Sequence, residues 1–344
     1  MDKLLSAARE AGLDAVAVTH VQPQTYLSKF LQQAKDEGRY SQFAAPDINL
    51  RITPTEVFPQ AKSIITGAVA YKTVDPGQAP RMHGTISRSA WGRDYHRVLK
   101  EAFARLIPFL QEEYGVKEWL IAVDDTPLVE RALSAQSGIA KIGPNCAAYV
   151  QPYGSWIFLG ELLVDVELEP FSQENEGPPC EACDLRCVKA CPTNALVGPG
   201  LIDARRCLSF LTQKTGTFPE ELRDRLGSRL WGCDTCQQVC PANRIAETSR
   251  HSDFEPIVGP HFPLIELLSL TKKEYQQIFG ETSIAWRGKN VLQRNACLIL
   301  GNQRAEEALP LLEQIAVEHP SEVVREAAQW AVKKITRPSK GPGA

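Results

Sequence analysis

No stretch of the 344-residue sequence stays apolar over the roughly 18 residues that a membrane span requires. Residues 1–20 mix Asp2, Lys3, Arg9 and Glu10 with Leu and Ala, and they lack the apolar core and small-residue cleavage site of a secretory signal. Both absences point to a reducing, cytoplasmic setting with no membrane partner. Neither charge sign is in excess, with 38 Lys and Arg against 41 Asp and Glu. That balance excludes a globally basic nucleic-acid coat and leaves room only for a local basic patch. Histidines such as His20, His83 and His261 form no ligand-spaced pair. A disordered or fibrous chain is excluded as well, because 43% hydrophobic residues suffice for more than one buried core.

Cysteine, in contrast, is concentrated. Eight of the ten fall between Cys180 and Cys240, leaving Cys146 and Cys297 as small buried hydrophobes in apolar surroundings. Where stable disulfides are rare, thiol ligation is the leading explanation. The first cluster runs Cys180, Cys183, Cys187, Cys191-Pro192, and the second runs Cys233, Cys236, Cys240-Pro241 after an isolated Cys207. This is close to the bacterial ferredoxin run, in which three near cysteines wrap one cubane and a fourth is carried on to a neighbouring cluster. Crossed ligation then assigns Cys180, Cys183, Cys187 and Cys240 to one [4Fe-4S] cluster and Cys191, Cys207, Cys233 and Cys236 to the other. Cys183 and Cys187 are separated by three residues instead of the usual two, which loosens the loop that Cys187 must close. A pair of Zn(Cys)4 sites is the competing reading; the two Cys-Pro endings and the crossed spacing argue against it.

Strand signals at Ala15–Val18, Ser63–Ala70, Trp119–Val123 and Trp156–Val164 alternate with helical patterns, so residues 1–168 read as an α/β domain. The strongest helix signal spans Asp94 to Glu113, with Pro108 expected to kink it. A turn-rich stretch containing Pro170, Gly177, Pro178 and Pro179 leads into a ferredoxin-like double-cluster domain, 169–253. Residues 254–336 are helical, punctuated at Gly301 and at His319-Pro320, and 290–300 with 321–335 share a HEAT-like pattern. The tail 337–344 is expected to be disordered.

Two clusters make an electron wire, and the flanking mass is more than electron storage requires, so an acceptor site on the amino-terminal domain is implied. The segments 51–54, 59–65, 91–99, 123–131, 154–161, 207–212 and 232–237 together resemble epoxyqueuosine reductase, over nearly the whole chain. The resemblance implies a base-off cobalamin between the α/β and cluster domains, and a two-electron, two-proton reduction of an epoxide on a queuosine precursor in tRNA. It implies that Asp124 is the proton-donating acid, and that Arg51, Asp124, Asn145, Ser155, Phe158, Ser209, Thr212 and Asp234 contact the cofactor. Read without it, residues 124–127 are a turn and helix N-cap. Alternation along an extended segment would send Asp124 and Asp125 to opposite sides. Arg93, Asp94, Tyr95 and His96 are further pocket candidates, with Asp94 equally a helix cap, and Gly154 would let backbone approach a corrin. The segment 138–146 departs from the family pattern at Lys141, Pro144 and Cys146 and keeps Asn145.

Residues 287–344 carry nine Lys and Arg against six acids, a basic helical end that suits a tRNA backbone, although solvated helix faces explain such charges too. Other partners expected are an unidentified electron donor and no second copy of the chain. Two other readings remain open from sequence. One is a dehalogenase-like corrinoid reductase of small molecules; the other is a ferredoxin-type carrier whose helices bind a partner.

Overall fold

The computed structural model describes residues 2–173, 175–178 and 180–337. Its contacts form two compact units. The first comprises Met1–Thr73, Asp94–Arg205 and Thr235–Phe254; the second comprises Val74–Arg93, Arg206–Asp234 and Glu255 onward.

The first unit is built on a four-stranded sheet in the order Ala15–His20, Ser63–Ala70, Ile157–Val164, Trp119–Ala122. Ser63–Ala70 and Ile157–Val164 are buried at every position, because both faces of the sheet are covered. The helix Tyr95–Tyr114 covers one face with Leu99, Phe103 and Leu106 against Ile65 and Leu162, while Leu133 of the helix Glu130–Gln136 packs with Ile64 and Leu163. All three strand pairings are antiparallel, so the expected α/β alternation along the sequence gives mixed helix and sheet without parallel βαβ units. Asp94 caps the long helix by accepting from the His96 amide at 3.1 Å, and Gly115 ends it in a left-handed turn. Pro108 lies inside that helix, which continues to Tyr114.

In the second unit, the helices Lys289–Asn302, Leu309–Glu318 and Glu322–Thr336 pack on one another around Leu292, Ala296, Leu312, Ala327 and Ala331. A small sheet joins Arg229–Trp231, His83–Ile86 and His261–Pro263. Gly301 is the penultimate residue of the first of these helices, where its run was expected to stop. A Cβ there would stand 2.9 Å from the Ala331 Cα, so the glycine serves close helix packing.

The units do not follow the expected linear division at 168/169, while the unit boundary Phe254/Glu255 falls one residue from the expected 253/254. Leu208, Leu211, Phe218, Leu222, Leu226 and Leu230 feed the helical core, which makes 206–234 part of the second unit instead of a separate cluster module. Cys180, Cys183, Cys187, Cys191, Cys236 and Cys240 therefore fall in the first unit, and Cys207 and Cys233 in the second. Of the tail expected to be disordered, all but Arg337 lies outside the described residues. No helix among the described residues is long and apolar enough to cross a membrane.

Candidate functional site

The short helices Arg186–Lys189 and Thr235–Gln238 pack together and bring four thiols of the first unit into one neighbourhood. Cys183, Cys187 and Cys240 are buried. Burial pushes the Cys180 thiol up to about 11, with the like charges of Cys183, Cys240 and Cys187 adding to the rise. Thiolates that repel one another in this way are stabilised by a cationic core, so this donor set fits an iron-sulfur cluster. As they stand, no three His, Cys, Asp or Glu among the described residues are grouped closely enough to hold a metal ion. Cys191 behaves differently. Burial works against its thiolate, yet the backbone amides of Leu196, Thr193 and Ala195 bring its pKa below the ordinary value, with the Ala195 N–H donating to Sγ at 3.2 Å. Tyr149 donates its hydroxyl to the Cys240 Sγ at 3.3 Å. In the second unit Cys207 stands at the N-cap of the helix Leu208–Gln213, and Cys233 packs against the helical core.

The segment after the strand Trp119–Ala122 is neither extended nor a helix cap. Asp124 has a φ of 52°, and the next helix starts at Glu130 with Val129 as its uncapped N-cap residue. Alternation therefore fails: Asp124 accepts the Tyr95 hydroxyl at 2.8 Å, while Asp125 accepts the Val123 amide at 3.0 Å and pairs with Lys100. Both acids thus engage the same helix, Tyr95–Tyr114. The Asp124 backbone N–H donates to the Glu130 carboxylate. Desolvation, reinforced by the charge of Asp124, raises Glu130 to about 8. Tyr95 stacks on Phe158 at 4.2 Å and on His96 at 4.0 Å, and Phe158 meets Tyr71 at 4.3 Å. The aromatic ladder fixes the ring that holds Asp124.

The remaining expected contacts sort by unit. In the first, Arg51 donates to the Pro127 carbonyl at 3.3 Å and to the Tyr40 hydroxyl at 3.0 Å. Asn145 is buried, and its amide donates to the Tyr149 hydroxyl at 3.2 Å. The Ser155 amide donates to Asn243 Oδ1 at 2.8 Å, and its hydroxyl accepts from the Asn243 amide at 2.8 Å. Gly154 makes room for that same Asn243, since a Cβ would stand 2.3 Å from its Oδ1; the close approach expected for a corrin is filled by the chain itself. In the second unit the buried Thr212 hydroxyl accepts the Gly232 amide at 2.9 Å and donates to the Ser209 carbonyl at 3.2 Å. Asp234 accepts the Arg88 amide at 2.8 Å and the Ser87 hydroxyl. Asn145, Ser155 and Thr212 are thus bonded within the protein, whereas the Asp124 carboxylate is exposed. Sequence reasoning missed Tyr149, Asn243, Glu130 and Glu161. Only Glu161 carried a legible signal, as the one acid within the apolar run Ile157–Val164.

Two family models match the chain. The one described as "Epoxyqueuosine reductase QueG, DUF1730" matches residues 51–125, and the one described as "4Fe-4S double cluster binding domain" matches residues 179–243. Epoxyqueuosine reductase of Bacillus subtilis is 36% identical over 343 residues, covering 98% of this chain and 88% of that protein. Its Escherichia coli counterpart is 35% identical over 290 residues, covering 82% and 75%. A crystal structure of epoxyqueuosine reductase with an epoxyqueuosine-modified tRNA-Tyr stem loop matches with a TM-score of 0.91 at 37% identity, covering 98% of this chain and 90% of that one. A structure of the Bacillus subtilis enzyme with its aspartate-bearing catalytic loop swung out of the active site matches with a TM-score of 0.90 at 36% identity, with the same coverage. Likeness that runs through the sheet, the cysteine segment and the helices alike makes this chain a member of the epoxyqueuosine reductase family.

Proposed function

We propose that this protein reduces epoxyqueuosine in tRNA to queuosine, a two-electron, two-proton deoxygenation that releases water. The observation that supports this reading above the small-molecule reductase and the ferredoxin-type carrier is the full-length likeness to a reductase solved with a modified tRNA stem loop. Cys180, Cys183, Cys187 and Cys240 hold one [4Fe-4S] cluster, and Cys191, Cys207, Cys233 and Cys236 hold the other, fed by a reductant in the cytoplasm. The acceptor is cobalamin, which when bound supplies the electrons for carbon–oxygen cleavage. Its polar edge fits the exposed Asp124 carboxylate and the buried Thr126 hydroxyl, which bonds no described residue. Arg51, Asn145, Ser155, Phe158, Ser209, Thr212 and Asp234 shape the cofactor's surroundings, those already bonded internally doing so as supports.

Opening an epoxide leaves an alkoxide that needs a proton. Asp124 delivers it, held in place by the Tyr95 hydroxyl while its carboxylate stays open to substrate. The helices from Lys289 to Thr336 form a HEAT-like platform for the tRNA stem, and the protein works as a monomer. Arg294 does not contribute to that platform, because it is buried.

The test is single-turnover treatment of epoxyqueuosine-containing tRNA with chemically reduced, reconstituted protein, followed by nucleoside analysis. Queuosine should appear, and an unchanged epoxide with intact clusters and bound cobalamin overturns the reading. Asp124→Asn should keep both chromophores and lose on the order of 100-fold or more in rate, the usual worth of a positioned acid. Cys207→Ala should cost one cluster's iron, and unchanged iron content would sink the pairing.

A further inference from the structure

A tight hairpin of the first unit brings two polar side chains to a cysteine. Lys141–Ile142 pairs antiparallel with Ala148–Tyr149. The turn between them is closed by the Gly143 amide on the Ala147 carbonyl at 2.8 Å and the Cys146 amide on the Gly143 carbonyl at 2.9 Å. Gly143 is required where it stands, because a Cβ there would lie 2.6 Å from Cε2 of the Tyr149 ring and 2.9 Å from Asn145 Oδ1. Asn145 and Tyr149 are therefore pressed together, and both are buried, as is Cys240.

The hydrogen bonds fix where each proton points. The Ala147 amide donates to Asn145 Oδ1 at 3.3 Å, so the carboxamide turns Nδ2 toward Tyr149 and donates to its hydroxyl at 3.2 Å. Ser155 bears on the same oxygen; its hydroxyl accepts from Asn243 at 2.8 Å and from Gln237 at 3.1 Å, which leaves its own proton to give. A hydroxyl that accepts from such neighbours still has one proton to donate. Asn145 Oδ1, 3.4 Å away, lies beyond the usual O–H···O range, whereas Cys240 Sγ at 3.3 Å is well placed for the larger sulfur atom. A tyrosine keeps its proton at neutral pH, so the sulfur faces a standing donor.

A donor aimed at a cysteine sulfur of an iron-sulfur cluster stabilises the negative charge gained on reduction and raises the reduction potential. We propose that Tyr149, oriented by Asn145, raises the potential of the [4Fe-4S] cluster held by Cys180, Cys183, Cys187 and Cys240, so that the reductant fills that cluster more readily. The inference rests on the reading of Cys240 as a ligand of that cluster. One electron passes from the reductant to the cluster, and the Tyr149 O–H bond stays intact throughout. Tyr149 acts through the Cys240 sulfur and Asn145 acts through Tyr149, so both are positioning residues.

The test is a potentiometric titration of the full-length protein, reconstituted with iron and sulfide and followed by electron paramagnetic resonance. Tyr149→Phe keeps the ring and removes the donor. It should hold as much iron as wild type and lower the midpoint of one cluster while the other stays. At a fixed potential the reduced-to-oxidised ratio of that cluster should fall about three- to tenfold, tenfold being about 59 mV for a one-electron couple. Asn145→Ala keeps the hydroxyl and removes the group that turns it, and should move the same midpoint the same way by less. An unchanged or raised midpoint in Tyr149→Phe overturns the proposal, and so does an equal fall in both midpoints, which would mark a general loosening of the structure. Cys240→Ala is the control for the underlying reading: unchanged iron content there means that Cys240 is not a ligand. If Cys240→Ala loses iron while Tyr149→Phe and Asn145→Ala keep the wild-type midpoints, the tuning alone is refuted. Should Tyr149→Phe fail to assemble its clusters, Asn145→Ala decides, and an unchanged midpoint in that variant overturns the proposal.

Discussion

Each unit buries a large ionisable side chain, Arg294 in the second and Glu161 in the first, and these two are treated in opposite ways. Arg294, 1% exposed in the second unit, donates to the carbonyls of Lys214 at 2.6 Å, Gly216 at 2.7 Å and Leu211 at 2.9 Å, and to Asn295 Oδ1 at 3.0 Å. Burial pushes its pKa down to about 10, so it remains a cation at neutral pH with its fork committed to backbone. Glu161 in the first unit has no such cradle. A buried charge with every donor satisfied ties loops to a helix. A buried acid left unsatisfied weakens the fold, and such acids persist where proton chemistry needs them.

The largest expected effect lies in the satisfied partner. Arg294→Met removes the donors that several buried carbonyls depend on, and should destabilise the second unit by roughly 2–4 kcal/mol in denaturant unfolding. A loss below 0.5 kcal/mol would break the contrast. Gly301→Ala asks whether that unit is sensitive to packing in general. Its added methyl meets Ala331 and the Trp330 ring, and should cost about 1–3 kcal/mol by the same measurement.

The smallest effect should have the opposite sign. Glu161→Gln removes an acid whose folded pKa is raised by burial, so the folded wild type binds a proton that the unfolded chain has released. Wild-type stability therefore falls as pH rises from the ordinary carboxylate range toward the folded value. The variant should melt close to wild type near pH 4 and above it at pH 8, with the gap widening between. Equal melting curves at pH 8 would show that Glu161 is not held neutral by the fold.

Much of the sheet was legible because burial on both faces leaves an apolar run: Ser63–Ala70 stands as read, and Trp156–Val164 is shortened by one residue. Asp94 behaved as the cap that its spacing announced. The misreadings share a cause, which is that local signals do not report what lies across the fold. Gly301 stands near the end of its helix as its spacing announced, yet what calls for glycine there is the contact with Ala331. Arg294 counted as surface charge in the sequence but is internal, which reduces the basic end available to a phosphate backbone. Asp124 was found by motif position, whereas Glu130 and its approach to the Asp124 amide depend on a left-handed residue that no periodicity forecasts. The cysteine spacing showed that the thiols belong together; it did not show that leucines between Cys207 and Cys233 would join the helical core.

The fit of Asn243 against Gly154 has a consequence for how this sequence tolerates change. The Asn243 carboxamide, three residues after Cys240, fills the space where a methyl at 154 would go and bonds both the amide and the hydroxyl of Ser155. The two positions are therefore a matched pair. A library that randomises them jointly should return residues larger than glycine at 154 only alongside residues smaller than asparagine at 243.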